Sequence, residues 1–230
     1  MMADIQTHLL KRIRLFEPLP EHSLAEIAAI AQRRRFEPGD VLFLEGDDPE
    51  FVHAVLEGGV VLLSDIGGQE SVIEFVGSGD SILLPATLLG IAYPASARMT
   101  TAGDVVALPA RAFIKLAMQD EALSMQCAKS MARQWGVLLN QVKQIKTQGA
   151  AERLAHFLLS QVSATMGPAS LTLPGMKKQV ATRLGIKPET FSRTLRKLRA
   201  FGVEANGDLI RIRSVERLAA LVKPRDAASA

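Results

Sequence analysis

The 230-residue chain holds one cysteine, Cys127. A single thiol cannot close a disulfide within the chain, nor can it build a multi-cysteine metal site. Histidine is almost as scarce: His8, His22, His53 and His156 are the four present, and none stands in a recognisable ligand motif. Long apolar runs are missing, since nothing approaches the roughly 18 residues expected of a membrane-spanning helix. No apolar stretch with a small-residue cleavage site follows Met1, so a cytoplasmic protein is expected, without a secretory leader or a membrane partner. Carboxylates are scarce in one part only. Residues 1–150 carry 13 Lys and Arg against 18 Asp and Glu, a net of −5, whereas residues 151–230 carry 14 against 6, a net of +8. A basic segment joined to an acidic body has the charge distribution of a nucleic-acid-binding domain on a regulatory one.

What is there changes character three times along the chain. Residues 5–35 read as helical, with Leu9, Leu10 and Ile13 before a turn at Pro18–Pro20 and Leu24, Ile27 and Ile30 after it; Ser23 and Glu26 have capping-box spacing. From Phe36 to Leu108 the pattern becomes short apolar runs (41–44, 51–56, 60–63, 72–76, 82–84 and 105–108). Glycine-bearing turn signals separate them, at 38–40, 46–48, Gly58-Gly59, Gly67-Gly68 and 77–80. Many short strands at such spacing predict an antiparallel β-roll. A metal-dependent cupin enzyme would need several converging histidines, and the strand region has only His53, so neither catalytic residues nor a metal site are expected.

A long helix is predicted over 120–148. Met131, Trp135, Leu138, Val142 and Ile145 recur at spacings of four, three, four and three, which is a heptad seam suited to a homodimer, although a helix lying on its own roll would show a similar stripe. Gly149 then marks a hinge, and a helix over 151–163 buries Leu154, Phe157 and Leu158. The domains expected are a sensor roll at 1–119, a dimerisation helix at 120–148 and a DNA-binding unit at 149–230, an α+β chain as a whole.

The last unit carries the chemistry. After a short strand at 171–173, Met176, Val180 and Leu184 share one helix face, and Gly185 suits a tight turn. Lys187 precedes Pro188, which fits the first helical position. Phe191, Leu195 and Leu198 form an apolar stripe; Glu189, Arg193 and Arg196 point away, with Ser192 on the flank. In a major groove Arg can bond guanine O6 and N7, Glu can accept from cytosine N4, and Ser can serve several bases. Lys177, Lys178, Arg183, Lys187, Lys197 and Arg199 surround this face with charge for phosphates. A solvated amphipathic surface helix would look similar. The hairpin signal Asn206-Gly207 between 203 and 212, followed by a helix capped at Ser214, turns helix-turn-helix into a winged one.

Taken together the chain resembles the CRP/FNR superfamily of bacterial transcription regulators along nearly its whole length. Phe36-x-x-Gly39-Asp40, Gly46-Asp47, Val55-Leu56-x-Gly58 and Gly79-Asp80 match the roll, and Glu189-x-x-Ser192-Arg193 is similar to the FNR form of the recognition helix. Residues 15–19 and 188–193 look closest to the nitrogen-oxide-responsive DNR/NnrR branch. The resemblance implies a cyclic-nucleotide-binding-like roll, a homodimer on double-stranded DNA with a palindromic TTGAT-N4-ATCAA site, and RNA polymerase as a further partner. It puts Arg193 on the guanine, Glu189 and Ser192 on adjacent bases, and Lys177, Lys187 and Thr190 on phosphates; Lys178, Arg196 and Lys197 add charge beside them. Departures narrow the signal. Leu83-Leu84-Pro85 stands where cyclic-AMP binders have Gly-Glu-Leu, and their Arg-Ser pair falls near Tyr93-Pro94, so cyclic AMP is not expected; a cyclic-nucleotide-responsive regulator with a non-standard pocket is the alternative. An iron–sulfur cluster needs four thiolates and is excluded. Haem remains a candidate cofactor for sensing nitric oxide, although His53, in a strand where the family often has an aromatic, reads as a packed core residue.

Overall fold

The computed structural model describes residues 3–65, 67 and 70–222, with the backbone alone at Ala3 and Asp4. Gly68, half of the expected Gly67-Gly68 turn, lies outside the described residues. The chain forms two compact units, Met1–Leu138 and Leu139–Ala230.

The first unit is an antiparallel roll with helices against one face. Its elements in order are β1 (Ala3–Asp4), α1 (Thr7–Leu10), α2 (Glu21–Ile30), β2 (Gln32–Phe36), β3 (Val41–Phe43), β4 (Phe51–Asp65), β5 (Glu70–Gly77), β6 (Ser81–Ile82), α3 (Leu84–Leu89), β7 (Ser96–Pro109) and α4 (Ala110–Gln119). The long helix α5 (Glu121–Thr147) follows. The strands run β1-β2-β7-β4-β5, with β3 on β7 and β6 on β4.

The two long strands organise this sheet. Both change register where Glu57–Gly59 passes Thr101–Asp104. A Cβ on Gly103 would stand 2.0 Å from the Glu57 carbonyl oxygen, and one on Gly58, whose φ is +93°, would stand 2.9 Å from that of Ala102. Only glycine permits backbones this close, so the crease is written into both strands. Gly58-Gly59, expected as a turn between two strands, is therefore an irregularity inside one 15-residue strand.

On one face, Val52, Ala54 and Leu56 of β4 and Val106 and Leu108 of β7 pack with Leu10, Phe16, Ile27, Phe113 and Leu123. Inside the roll, Val55, Val60, Leu62, Met99 and Val105 pack with Phe43, Val76 and Tyr93. Period-two alternation sends successive residues to both layers, and both are apolar, which is why 51–56 reads as an unbroken hydrophobic run. Full burial of side chains such as Phe16 and Phe113 contributes about 2 kcal/mol each.

Three local expectations are corrected. Residues 32–35 are strand rather than helix, because Arg33 and Arg35 share one side and reach buried Asp104 at 2.6 and 3.7 Å, while Arg34 lies 4.6 Å over the Phe51 ring. That is a two-residue period, hidden in sequence by three identical charges. Ser23 lies inside α2, buried, because the helix starts at Glu21. The run at 82–84 is broken by Leu83, held at φ +45°, before α3 begins. The polar half of β7 and all of α4 went unread, since their inward residues are spaced among threonines, arginines and glycine.

Cys127 is buried, and burial pushes its thiol up to about 11, which keeps it protonated and inert. His53 is 6% exposed, with its ring 5.4 Å from Phe43 and 6.0 Å from Phe51. Its Nδ1 has no hydrogen-bond partner. Burial first, and then the Arg34 charge, lower its pKa from 6.5 to about 4. The unfolded chain thus takes this proton near pH 6.5 and the folded chain refuses it until about pH 4. Stability is whole above 6.5 and falls through that window by about 3 kcal/mol. His53→Phe should flatten this part of the melting-temperature profile; parallel profiles for the two proteins would exclude His53 as the cause.

Candidate nucleic-acid interface

The second unit begins inside α5, at Leu139. Gly149 is the extended N-cap of α6 (Ala150–Ser160), and its N–H donates to Glu152 Oε2 at 2.7 Å. After β8 (Ala169–Thr172) come α7 (Lys177–Arg183) and α8 (Pro188–Lys197), then a 3₁₀ turn (Leu198–Phe201). The hairpin β9 (Val203–Asn206) and β10 (Leu209–Ile212) and a final helix α9 (Val215–Ala219) close the unit. Strand order is β8-β10-β9. Gly207, at φ +59°, makes the two-residue loop between Asn206 and Leu209, and Ser214 Oγ accepts from the Arg217 N–H as the expected cap.

Gly185, at φ +61°, turns the chain between α7 and α8. Its N–H reaches the Thr182 carbonyl and that of Ile186 reaches Ala181, so the last carbonyls of α7 are satisfied. Lys187 is extended and Pro188 starts α8. Val180 on α7 and Leu184 at its C-terminal cap are buried, as expected, whereas Met176 is 65% exposed because it precedes the first helical turn.

Helix α8 rests on Phe191, Thr194, Leu195 and Leu198, all buried. At 100° per residue this directs Glu189, Ser192, Arg193, Arg196 and Lys197 to solvent, all five exposed. Glu189, Ser192 and Arg193, the three base-reading candidates, have no side-chain partner among the described residues. Lys178 and Lys187 are exposed, and Lys177 and Thr190 half-buried, at the N-terminal ends of α7 and α8. Carboxylate acceptor, hydroxyl and guanidinium donor thus stand on one turn of a narrow helix, a set able to bond base edges. Arg183 is half-buried, and its guanidinium lies 5.5 Å over the Phe157 ring.

One residue that holds this geometry was not found in sequence. Arg153, on α6, donates to the carbonyls of Leu184 at 2.9 Å and Gly185 at 3.4 Å, and also to Gln148 at 2.6 Å. Two of its partners are 31 and 32 residues away, beyond any local pattern.

On α5, Leu123, Gln126, Cys127 and Ser130 are buried. The seam residues Trp135, Leu138, Val142 and Ile145 are 67, 48, 50 and 56% exposed, and Met131 is half-buried. Burial against the roll and the apolar seam are therefore two separate stripes. Gln134 donates weakly to Ser81 Oγ at 3.4 Å, and Ser81 Oγ lies 3.5 Å from Ser130 Oγ.

Residues 81–97 of the roll contain no charged side chain. The cleft beside His53, about 450 Å³, is rimmed by Asp47, Asp48 and Glu50. Arg34 lines the same cleft, so its rim holds charges of both signs. Among the described residues no cluster of three His, Cys, Asp or Glu could hold a metal ion, and no helix is long and apolar enough to cross a membrane.

Residues 33–120 match the cyclic nucleotide-binding domain family, and residues 152–221 match the Crp-like helix-turn-helix domain family. The chain is 31% identical over 207 residues to the "Probable transcriptional regulator flp" of Lacticaseibacillus casei, covering 89% of this chain and 93% of that protein. It is 26% identical over 196 residues to the transcriptional activator protein FnrA of Stutzerimonas stutzeri, covering 80% and 77%. FixK2 of Bradyrhizobium japonicum shares the fold with a TM-score of 0.72 at 22% identity, over 87% of this chain and all of that one.

Arg153→Ala should strand three carbonyls and cost about 2–3 kcal/mol, lowering the calorimetric transition of the Leu139–Ala230 unit and sparing the other. Arg153→Lys, able to reach one of them, should recover part of it. A wild-type transition in the alanine variant would remove Arg153 from this role.

Proposed function

The chain belongs to the CRP/FNR family of transcription regulators, and on that premise we propose that it works as a homodimer reading a palindromic duplex through α8. The observation that carries the reading is the exposed row Glu189, Ser192 and Arg193, without a side-chain partner among the described residues. Arg193 takes guanine O6 and N7, Glu189 and Ser192 take neighbouring bases, and Lys177, Lys178, Lys187, Thr190, Arg196 and Lys197 hold phosphates. The apolar stripe Trp135, Leu138, Val142 and Ile145, open in a single protomer, supports pairing of two α5 helices. Two α8 helices would then meet successive major grooves about 34 Å apart.

The Glu189-x-x-Ser192-Arg193 form supports an FNR-type site, TTGAT-N4-ATCAA, and residues 15–19 and 188–193 support the nitrogen-oxide-responsive branch. The signal is a small molecule other than a cyclic nucleotide, because the uncharged stretch 81–97 offers no cation to a cyclic phosphate. Its action is a change in packing between roll and α5, where Ser81, Ser130 and Gln134 meet. The DNA-binding units then re-orient about Gly149, and RNA polymerase answers to the bound dimer.

Titrating the TTGAT-N4-ATCAA duplex in gel shifts tests this reading. Arg193→Ala should lose about 1–3 kcal/mol, roughly 5- to 150-fold, and relax preference at its guanine. Lys178→Ala should weaken all sequences alike, lowering the salt slope by about one. Val142→Asp should leave a monomer with little operator affinity. Unchanged affinity and base preference in Arg193→Ala would refute α8 as the reading helix. In calorimetry, micromolar cyclic AMP or cyclic GMP should give no binding heat; a saturable signal would favour the cyclic-nucleotide alternative.

A further inference from the structure

The cleft beside His53, about 450 Å³, lies on the roll and shares no residue with α8 or with the apolar stripe of α5. Arg34 lines it from β2, Phe51 and His53 from the start of β4, Tyr93 from the segment before β7, and Asp48 and Glu50 from the loop into β4. Strand register explains how an arginine comes to face it. Arg34 pairs with Val105 and Val105 with Val55, so all three point to the inner side of the roll, as do Phe51 and His53 at period two from Val55. Arg33 and Arg35 turn the other way, to Asp104. Arg34 donates to Gln32 Oε1 at 2.8 Å and covers the Phe51 ring, without a carboxylate partner among the described residues. Hydrogen bonds fix the remaining walls. Tyr93 Oη donates to the Phe51 carbonyl at 2.7 Å, and the Tyr93 N–H donates to that of Asp47 at 2.9 Å. Asp47 Oδ2 accepts from the Leu44 N–H at 2.8 Å, which closes the carboxylate-bearing loop. Asp48 and Glu50 are exposed and have no side-chain partner among the described residues. The Phe43 ring stacks on Tyr93 at 3.7 Å, and His53, 6% exposed, has no hydrogen-bond partner on Nδ1. Buried polar nitrogens are normally bonded, so this side chain lines the cleft with a hydrogen bond still to make.

We propose that this cleft binds a free α-amino acid with an apolar side chain. Arg34 holds the carboxylate in a paired fork, Asp48 and Glu50 take the ammonium, and His53 supplies a further hydrogen bond. The apolar side chain lies on half-buried Leu42 and Phe51. Neither the dimer nor α8 as the reading helix is needed for this. The charges single out the ligand class. A simple cation would satisfy Asp48 and Glu50 and leave Arg34 unanswered. A phosphate would satisfy Arg34 and be repelled by Asp47, Asp48 and Glu50 of the same cleft. Opposite charges that line one cleft without pairing call for a ligand that carries both. His53 adds no charge of its own, because burial and then the Arg34 charge keep its imidazole neutral down to about pH 4. Size agrees as well: small-molecule sites occupy roughly 300–1,000 Å³, with apolar walls and a few fixed polar groups.

Calorimetric titration of the full chain with L-phenylalanine and L-leucine tests the assignment. The tighter of the two should bind saturably, with a Kd of about 1 mM or below. Its amide, which lacks the carboxylate, and its N-acetyl form, which lacks the ammonium, should each bind roughly tenfold more weakly or worse. R34Q should lose a similar factor for the free amino acid yet bind the amide no more weakly than wild type does. D48N/E50Q should lose it too, yet bind the N-acetyl form no more weakly than wild type. Both altered carboxylates lie in solvent, so the melting of D48N/E50Q should match wild type, and this variant carries the test by itself if loss of the Arg34–Phe51 contact unfolds R34Q. No saturable heat up to about 10 mM of either amino acid would overturn the proposal. So would an amide or N-acetyl form that binds as tightly as the free amino acid, or wild-type affinity in the folded variants. Operator binding in gel shifts is a separate readout, so failure of the cleft and failure of the reading helix are told apart.

Discussion

The burial of Phe191, Leu195 and Leu198 beneath α8 is the constraint on which the functional surface depends. A helix has one free rotation about its axis, and these three side chains remove it. Turning α8 by one residue would pull about 2 kcal/mol of burial per apolar side chain into water and drive arginine or serine into the core. The direction of Arg193 is thus decided by residues that never meet a ligand. Gly185, Pro188 and Arg153 do the same for the position of the helix start. The exposed face of α8 is the part of the helix that packing leaves over.

Along α5 the same reasoning separates two roles. Leu123, Cys127 and Ser130 are consumed by the roll, and the stripe from Trp135 to Ile145 is not. A monomer that left four large apolar side chains about half in water, or more, at heptad spacing would have a standing reason to pair. Gln134 stands between the two, close to Ser81 and Ser130. Contacts at 3.4–3.5 Å are weak hydrogen bonds, so little holds Gln134 at this boundary between roll and helix.

Legibility in the sequence followed the range over which each cause acts. Helices α7 and α8, the hairpin around Asn206-Gly207 and the Ser214 cap were readable because their determinants sit within about four residues of one another. The roll was readable as a class, but its strand lengths were not. Gly58 looks like a turn residue until it and Gly103 are seen to press on each other's strand, 45 positions apart in the chain. The strand at 32–36 was hidden because three consecutive arginines carry no hydropathy contrast, and only Asp104 and Phe51 reveal that they alternate. Arg153 belongs to the same group. It takes its meaning from partners brought near by the fold.

The grip of Arg153 on Gln148 has a consequence for how the winged-helix unit can be isolated. Gln148 lies outside α6, one residue before its cap, yet its carbonyl takes the shortest of the three bonds from that guanidinium. A fragment cut at Gly149 would keep every helix and strand of the unit and still lose one of the three clamps behind its turn. The natural cutting point therefore lies inside α5, at least a helical turn upstream, where an independent module would carry a stub of the long helix as part of its own framework.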